Sequence, residues 1–303
     1  MYFPISGVHI PPLELILTGF LVGVLGGFFG VGGSFLAGPA LFVFGVPMNF
    51  VVGTDLAHLV GKSIVAARKH HLLGHIDFKL GGLMMIGTVP GVELGAQAIQ
   101  ALKRAGHVQG VVGAIFIAVL VSMAGFMSWE GWRTARARRA GGGRSRKGDY
   151  SAFGSFTRRI QRAAPGPHLA LPVSGIERIS LWSILGVALV GGFFSGFLGG
   201  GAGYIRMPSM IYLLGIPTHV AVGTDLFEVI VSAGYGTFSH ALKGNVDILI
   251  ALVMHTGAAI GAQLGANLTQ LISGPRIRLA FVPLLLLGAA MVLHGLLGGR
   301  PGN

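Results

Sequence analysis

The sequence predicts an all-α polytopic membrane protein. It has about eight transmembrane helices in two homologous four-helix repeats, each with a glycine-broken or re-entrant segment. Three observations lead there. The chain of 303 residues is 52% hydrophobic and only 11% charged, against roughly a quarter charged in a soluble domain, so polar side chains are too few to coat it. No Asp, Glu, Lys or Arg occurs in residues 15–54, 108–129, 179–205, 248–275 or 279–299, and a spanning helix needs only about 20 apolar residues. The two halves of the chain also align with each other. The strict alternation of a membrane β-barrel is missing.

The N-terminal MYFPISGVHIPPLEL has no basic region and no clear cleavage site, so the first apolar run is expected to stay as a helix. Helices are predicted near 12–29, 33–45, 50–71, 78–99 and 107–130, then near 179–198, 203–214, 219–241, 247–271 and 276–297. The pieces 33–45 and 203–214 are short for a full crossing. Each follows a glycine cluster, so each reads as the far part of a broken helix or as a re-entrant leg.

Between the two sets, residues 133–178 hold eleven Lys/Arg and two acids, Asp149 and Glu177, and so carry most of the formal charge of +12. The block RTARARRAGGGRSRK predicts a disordered cytoplasmic loop, because translocating dense positive charge is disfavoured. It can also lie against anionic headgroups. Because the charge is local to this loop, nucleic acid is not expected as a partner. The organisation is therefore a first transmembrane repeat (1–132), a basic loop (133–178) and a second repeat (179–303), in a multi-pass protein of the cell inner membrane. There are no cysteines, which excludes disulfides, thiolate metal sites and cysteine nucleophiles.

The repeat is the strongest organisational signal. GVPMNFVVGTDL (45–56) matches GIPTHVAVGTDL (215–226) at an offset of 170, and the same offset pairs Asp77 with Asp247 and Gly91 and Gly95 with Gly261 and Gly265. Upstream, GFFGVGGSFLAGP (27–39) matches GFLGGGAGYIRMP (196–208) at an offset of 169. Two parallel units are expected, enclosing a site at their interface.

At these paired motifs the sequence resembles the TauE/SafE family of membrane proteins, over essentially everything outside the basic loop. The resemblance implies secondary transport of small sulfur-containing anions such as sulfite or organosulfonates. The expected partners are a small anion, membrane lipid and, in a homo-oligomer, a second copy of the chain; no cofactor is expected. No ATP-binding motif of the G-x-x-x-x-G-K-[ST] kind is present, so any driving force would be a proton or the membrane potential. A passive anion channel, a carrier for another small solute and a membrane-embedded metal-dependent enzyme are the competing readings.

Gly30, Gly32 and Gly33, with Gly199, Gly200 and Gly201, are candidate substrate-lining residues, since a helix break frees backbone N–H groups to face an anion. Close packing of helices through small residues is the alternative. Thr54-Asp55 and Thr224-Asp225 fit a helix N-terminus equally well. Asp55, His58 and Lys62 share one helix face, as do Asp225, Glu228 and Ser232. Charges at the bilayer centre cost about 2.5–3.5 kcal/mol each on insertion scales, so these should face the interior. Lys62 and Arg206 are the candidate anion ligands, Arg206 through its planar fork. Asp55, His58, Asp225 and Glu228 are the candidates for coupling or gating. The alternatives are an Asp55–Lys62 structural ion pair and an Arg206 that snorkels to the interface. Glu93 and Gln97 read as interhelical hydrogen-bonding groups, His255 as a bonded core histidine, and His70, His71 and His75 as a solvated basic helix end.

Overall fold

The computed structural model describes residues 1–30, 33–140, 166–272 and 274–298. A small hairpin, β1 (Tyr2–Phe3) and β2 (Val8–His9), precedes five helices: α1 (Pro12–Phe29), α2 (Ser34–Val43), α3 (Met48–Leu72), α4 (Phe78–Arg104) and α5 (Val108–Ala140). A second hairpin, β3 (His168–Leu171) and β4 (Ile176–Ser180), precedes α6 (Leu181–Leu198), α7 (Gly203–Ser209), α8 (Thr218–Leu242), α9 (Ile248–Leu268) and α10 (Gly274–Leu297). A 3₁₀ turn (Gly200–Ala202) enters α7 and a π-helical turn (Met210–Leu214) leaves it. The all-α membrane architecture and every predicted helix are present.

The basic segment differs from its expectation. Helix α5 continues to Ala140, and residues 168–180 form the second hairpin. Stacking explains the longer helix. The Arg133 guanidinium lies 5.4 Å from the Trp129 ring centroid, and that of Arg136 lies 5.3 Å from Trp132. Both are i, i+4 pairs that hold one more turn each. The remainder, 141–165, falls outside the described residues.

Helix limits follow local chemistry. Pro12 opens α1 at the first position, where its missing N–H costs nothing. Gly30 closes it with φ 75° and an N–H to the Gly26 carbonyl, a left-handed cap that glycine adopts freely. Asp77 caps α4 by accepting from the Leu80 N–H at 3.0 Å, and Asp247 caps α9 by accepting from Leu249 and Ile250.

Glycine also sets which helices touch. On α1, Gly19, Gly23 and Gly27 face the backbone of Met254, Ala258 and Ala262 on α9, and Gly257, Gly261 and Gly265 face back onto Ile16, Phe20 and Val24. Gly87, Gly91 and Gly95 of α4 likewise meet α6, which answers with Gly192 and Gly196. Small residues every fourth position let two backbones approach, the main source of adhesion where lipid removes the hydrophobic drive. Gly261→Leu is expected to lower stability by about 1–3 kcal/mol or more, because its Cβ would overlap the Phe20 carbonyl and force the helices apart. Gly186→Ala, which meets open space, should leave thermal unfolding in detergent unchanged.

These contacts join the first half of the chain to the second. Helices α1 and α9 run parallel, as do α4 and α6. Helices α3 and α8 run antiparallel. At one end Asn49 donates to Asn245 at 3.1 Å and the Thr54 hydroxyl accepts from the Asp247 N–H at 2.9 Å. At the other end the His75 and His219 rings lie 5.3 Å apart and Thr224 accepts from the Asp77 N–H at 2.9 Å. The expectation of parallel units fails at this pair, the two helices that carry VGTDL. The threonines sit nearly two turns inside helices that begin after Pro47 and Pro217, so they tie the halves together and do not cap their own helices. The hairpins close opposite ends: Ser6 donates to Asp247 at 2.7 Å, and Ser174 donates to Asp77 at 2.6 Å.

Among the described residues, six helices are long and apolar enough to cross a membrane: α1, α3, α5, α6, α9 and α10. Their outer faces carry exposed apolar side chains such as Leu13, Leu17 and Leu21 on α1 and Leu286 and Leu293 on α10. A water-soluble fold does not present such a belt. The chain is a multi-pass membrane protein.

Candidate functional site

Helices α3 and α8 cross at the core and place their polar faces inward. Asp55, His58 and Lys62 are each 1% exposed, and Asp225, Glu228 and Arg206 are fully buried. The structure therefore gathers six of the sequence candidates in the interior, in two groups.

The first group lies along α3. Lys62 Nζ is 3.2 Å from His58 Nδ1, and the same nitrogen is 3.7 Å from Asp55 Oδ1. An ammonium has only protons to offer, so His58 accepts from Lys62 through Nδ1 and holds its own proton on Nε2. Among the described residues no carboxylate stands within 4 Å of Lys62. Asp55 Oδ1, His58 Nε2 and the neighbouring Ser63 hydroxyl have no hydrogen-bond partner.

The second group joins α7 to α8. Arg206 Nε donates to Asp225 Oδ1, and its Nη1 faces Glu228 Oε2. Ser232 donates to that same Glu228 oxygen at 3.3 Å. This corrects two expectations. Arg206 does not snorkel, and its fork is directed at the protein's own carboxylates, so it is not a free anion ligand. One guanidinium also faces two acids, so the group is short of positive charge. Arg206 Nη2, Asp225 Oδ2 and Glu228 Oε1 remain unpaired.

The glycine candidates frame this centre. Gly30 backs onto Val222 of α8, Gly33 onto Val22, Gly199 onto Val52 of α3, and Gly201 onto Leu59 and Val229. Gly199, Gly200 and Gly201 all take left-handed angles. Gly32 lies outside the described residues. Close packing is therefore present at Gly30, Gly33, Gly199 and Gly201, and α2 and α7 start within the protein. Neither helix start is capped by a side chain. Gly201 touches Leu59, the residue after His58, and this brings the second loop beside the α3 group.

Several other readings are settled by contacts. Glu93 accepts from Ser239 at 2.6 Å, Tyr235 at 3.2 Å and Lys243 at 3.0 Å, so it bonds α4 to α8 as expected. His255 lies against Gly61 with Nδ1 unpaired, so it is not the bonded core histidine expected. His70 is buried and meets the Gly27 carbonyl at 3.2 Å, while His71 stays exposed against Phe78. The histidine-rich helix end is therefore only partly solvated. Among the described residues no group of three or more His, Asp and Glu is arranged to hold a metal ion. Sequence reasoning missed Tyr204, a fully buried tyrosine on α7 whose hydroxyl is unpaired. The available signal was its place after the second glycine cluster, where the first copy has Phe35.

Apolar helices closed around a set of buried, incompletely paired charges define the class: a membrane transporter, whose interior must receive a polar guest. Comparison with known proteins narrows the class. The family description "Sulfite exporter TauE/SafE" matches residues 15–292, and the chain belongs to that family, which consists of transporters and not enzymes. It is 25% identical to the probable membrane transporter protein YunE of Bacillus subtilis over 291 residues, 93% of this chain and 97% of that one. It is 24% identical to the probable membrane transporter protein YjnA of the same organism over 263 residues, 85% and 90% of the two chains. Sulfite exporter TauE/SafE family protein 5 of Arabidopsis thaliana is 26% identical over 124 residues, 40% of this chain and 28% of that protein. No solved structure matches.

Proposed function

We propose that the chain is a secondary transporter of small sulfur-containing anions, of the sulfite or organosulfonate kind, with its site where α3 and α8 cross. The observation that carries this reading is Lys62: a buried ammonium with no carboxylate within 4 Å among the described residues, beside a His58 Nε2 that has no hydrogen-bond partner. Such a pair supplies a charge and a directed donor to an oxyanion. The family description supports the sulfur class. Asp55 in the same group favours coupling. An anion placed next to a carboxylate is repelled unless a proton joins it, so anion and proton bind together. The charged groups of the centre are buried, which favours a carrier over an open channel.

On this reading the halves are inverted copies. Gly27, near the end of α1, meets His70, near the end of α3, so α1 and α3 end on the same face. The short α2 returns the chain between them, and each half finishes opposite to where it began. Eight long helices cross, α4 and α8 among them: Ile86, Leu94 and Phe238 point outward on these two helices. Inverted repeats around a midplane site are a common carrier design. The basic segment and the second hairpin then lie on the cytoplasmic face.

Flux into proteoliposomes tests this, with sulfite, thiosulfate, sulfate and a small sulfonate offered in turn, with and without a pH gradient. Saturable uptake of a sulfur oxyanion that responds to the gradient is expected. Folded protein that moves none of them sinks the proposal.

A further inference from the structure

We infer that the Tyr204 hydroxyl is a substrate contact, donating a hydrogen bond to one oxygen of the carried oxyanion; this rests on the transport reading above. Tyr204 is the second residue of α7. It follows Ala202, which holds a left-handed φ of 46° at the helix start. The side chain is fully buried and its hydroxyl has no partner among the described residues.

Its surroundings come from three elements. The Phe116 ring of α5 lies 5.9 Å away between centroids. Asp55 of α3 is near enough to act on it electrostatically, and Asp55 Oδ2 faces Gly38 of α2. Tyr204 therefore stands where the two short helices, one from each half of the chain, converge on α3. A buried tyrosine hydroxyl normally finds a partner. Here the Tyr204 hydroxyl and Asp55 Oδ1 both lack a hydrogen-bond partner, and they do not bond to each other. That arrangement points to a third group between them, able to accept from a phenol and to share a proton with a carboxylate. An oxyanion binding together with a proton does both. A neutral donor adds direction without charge, so it selects oxyanions over halides, whereas Lys62 supplies the attraction.

Packing does not account for the hydroxyl. The aligned Phe35 is equally buried and stacks edge-on to Phe281 at 4.7 Å between centroids, so a plain phenyl ring suits the matching place.

The test is Tyr204→Phe in proteoliposomes, with sulfite and a sulfonate titrated. The expected result is a KM raised about tenfold, the loss of one hydrogen bond to a charged group, with Vmax and substrate-free thermal unfolding near wild type. Replacing Tyr204 with 4-aminophenylalanine, which keeps a donor in place, should bring KM back, and this variant carries the test if Tyr204→Phe folds poorly. A wild-type KM in Tyr204→Phe, or an amino variant that folds and is still tenfold weak, overturns the assignment. A folded wild-type protein that moves none of the anions defeats the transport reading, and this assignment with it.

Discussion

Lys62→Met is expected to cut sulfur-anion transport by about 10- to 100-fold at sub-saturating substrate while leaving the protein folded. The effect follows from what Lys62 lacks. Its nearest partner is an imidazole nitrogen at 3.2 Å, and Asp55, which acts on it electrostatically, stands beyond ion-pair distance. An ammonium kept this way in a buried site retains its attraction for an incoming anion. A hydrogen bond to a charged group contributes about 1.5–3 kcal/mol, which converts to one to two orders of magnitude in affinity. Methionine keeps the stem volume and removes the charge. Asp55 can then take up a proton, so no unpaired ion is forced to remain. Flux against concentration is the readout: KM should rise with little change in unfolding temperature. Wild-type kinetics in this variant would remove Lys62 from the site. Ser232, at the aligned position of α8, makes Lys62→Ser a second form of the test, since that residue is already accepted on the matching helix.

Much of the fold was legible because lipid imposes simple rules. Uncharged runs marked the helices. Gly30 and Gly199 marked the breaks, and the spacing of Asp55, His58 and Lys62 marked a common inward face. Three features were not legible, each for a physical reason. The antiparallel crossing of α3 and α8 depends on whether α2 returns the chain across the membrane, and ten residues of apolar helix read the same in either direction. The partners of Arg206 lie 19 and 22 residues further along the chain, on a different helix, so spacing could show its charge but not that two acids neutralise it. The extension of α5 into the basic segment depends on Trp129 and Trp132 receiving arginines one turn later. Composition alone reads that block as disordered. Tyr204 fell between these cases: its position was visible, but an unpaired hydroxyl is a property of three-dimensional contacts.

Arg206 should behave opposite to Lys62, and the contrast separates structure from transport. Arg206→Met is expected to abolish folded protein. It leaves Asp225 and Glu228 buried, close together and without a cation, and removing one partner from a buried ion group costs about 3–5 kcal/mol. That is a large part of the 5–15 kcal/mol that holds typical domains together. Neutralising the acids as well should reverse the loss. The triple variant Arg206→Met, Asp225→Asn, Glu228→Gln carries no buried charge in this group, and replacing a buried ion set by neutral residues is often harmless or stabilising. Expression and monodispersity in detergent should therefore return towards wild type in the triple variant. Its gradient-driven flux should not return if Asp225 and Glu228 hold the coupling proton, although substrate exchange without a gradient should persist through Lys62. Recovery of both folding and gradient-driven flux would show that this group only ties α7 to α8. Failure to fold even without charge would show that the guanidinium does more than balance two acids. In the first case coupling would then rest with Asp55 and His58, where the histidine nitrogen already stands between an ammonium and a carboxylate.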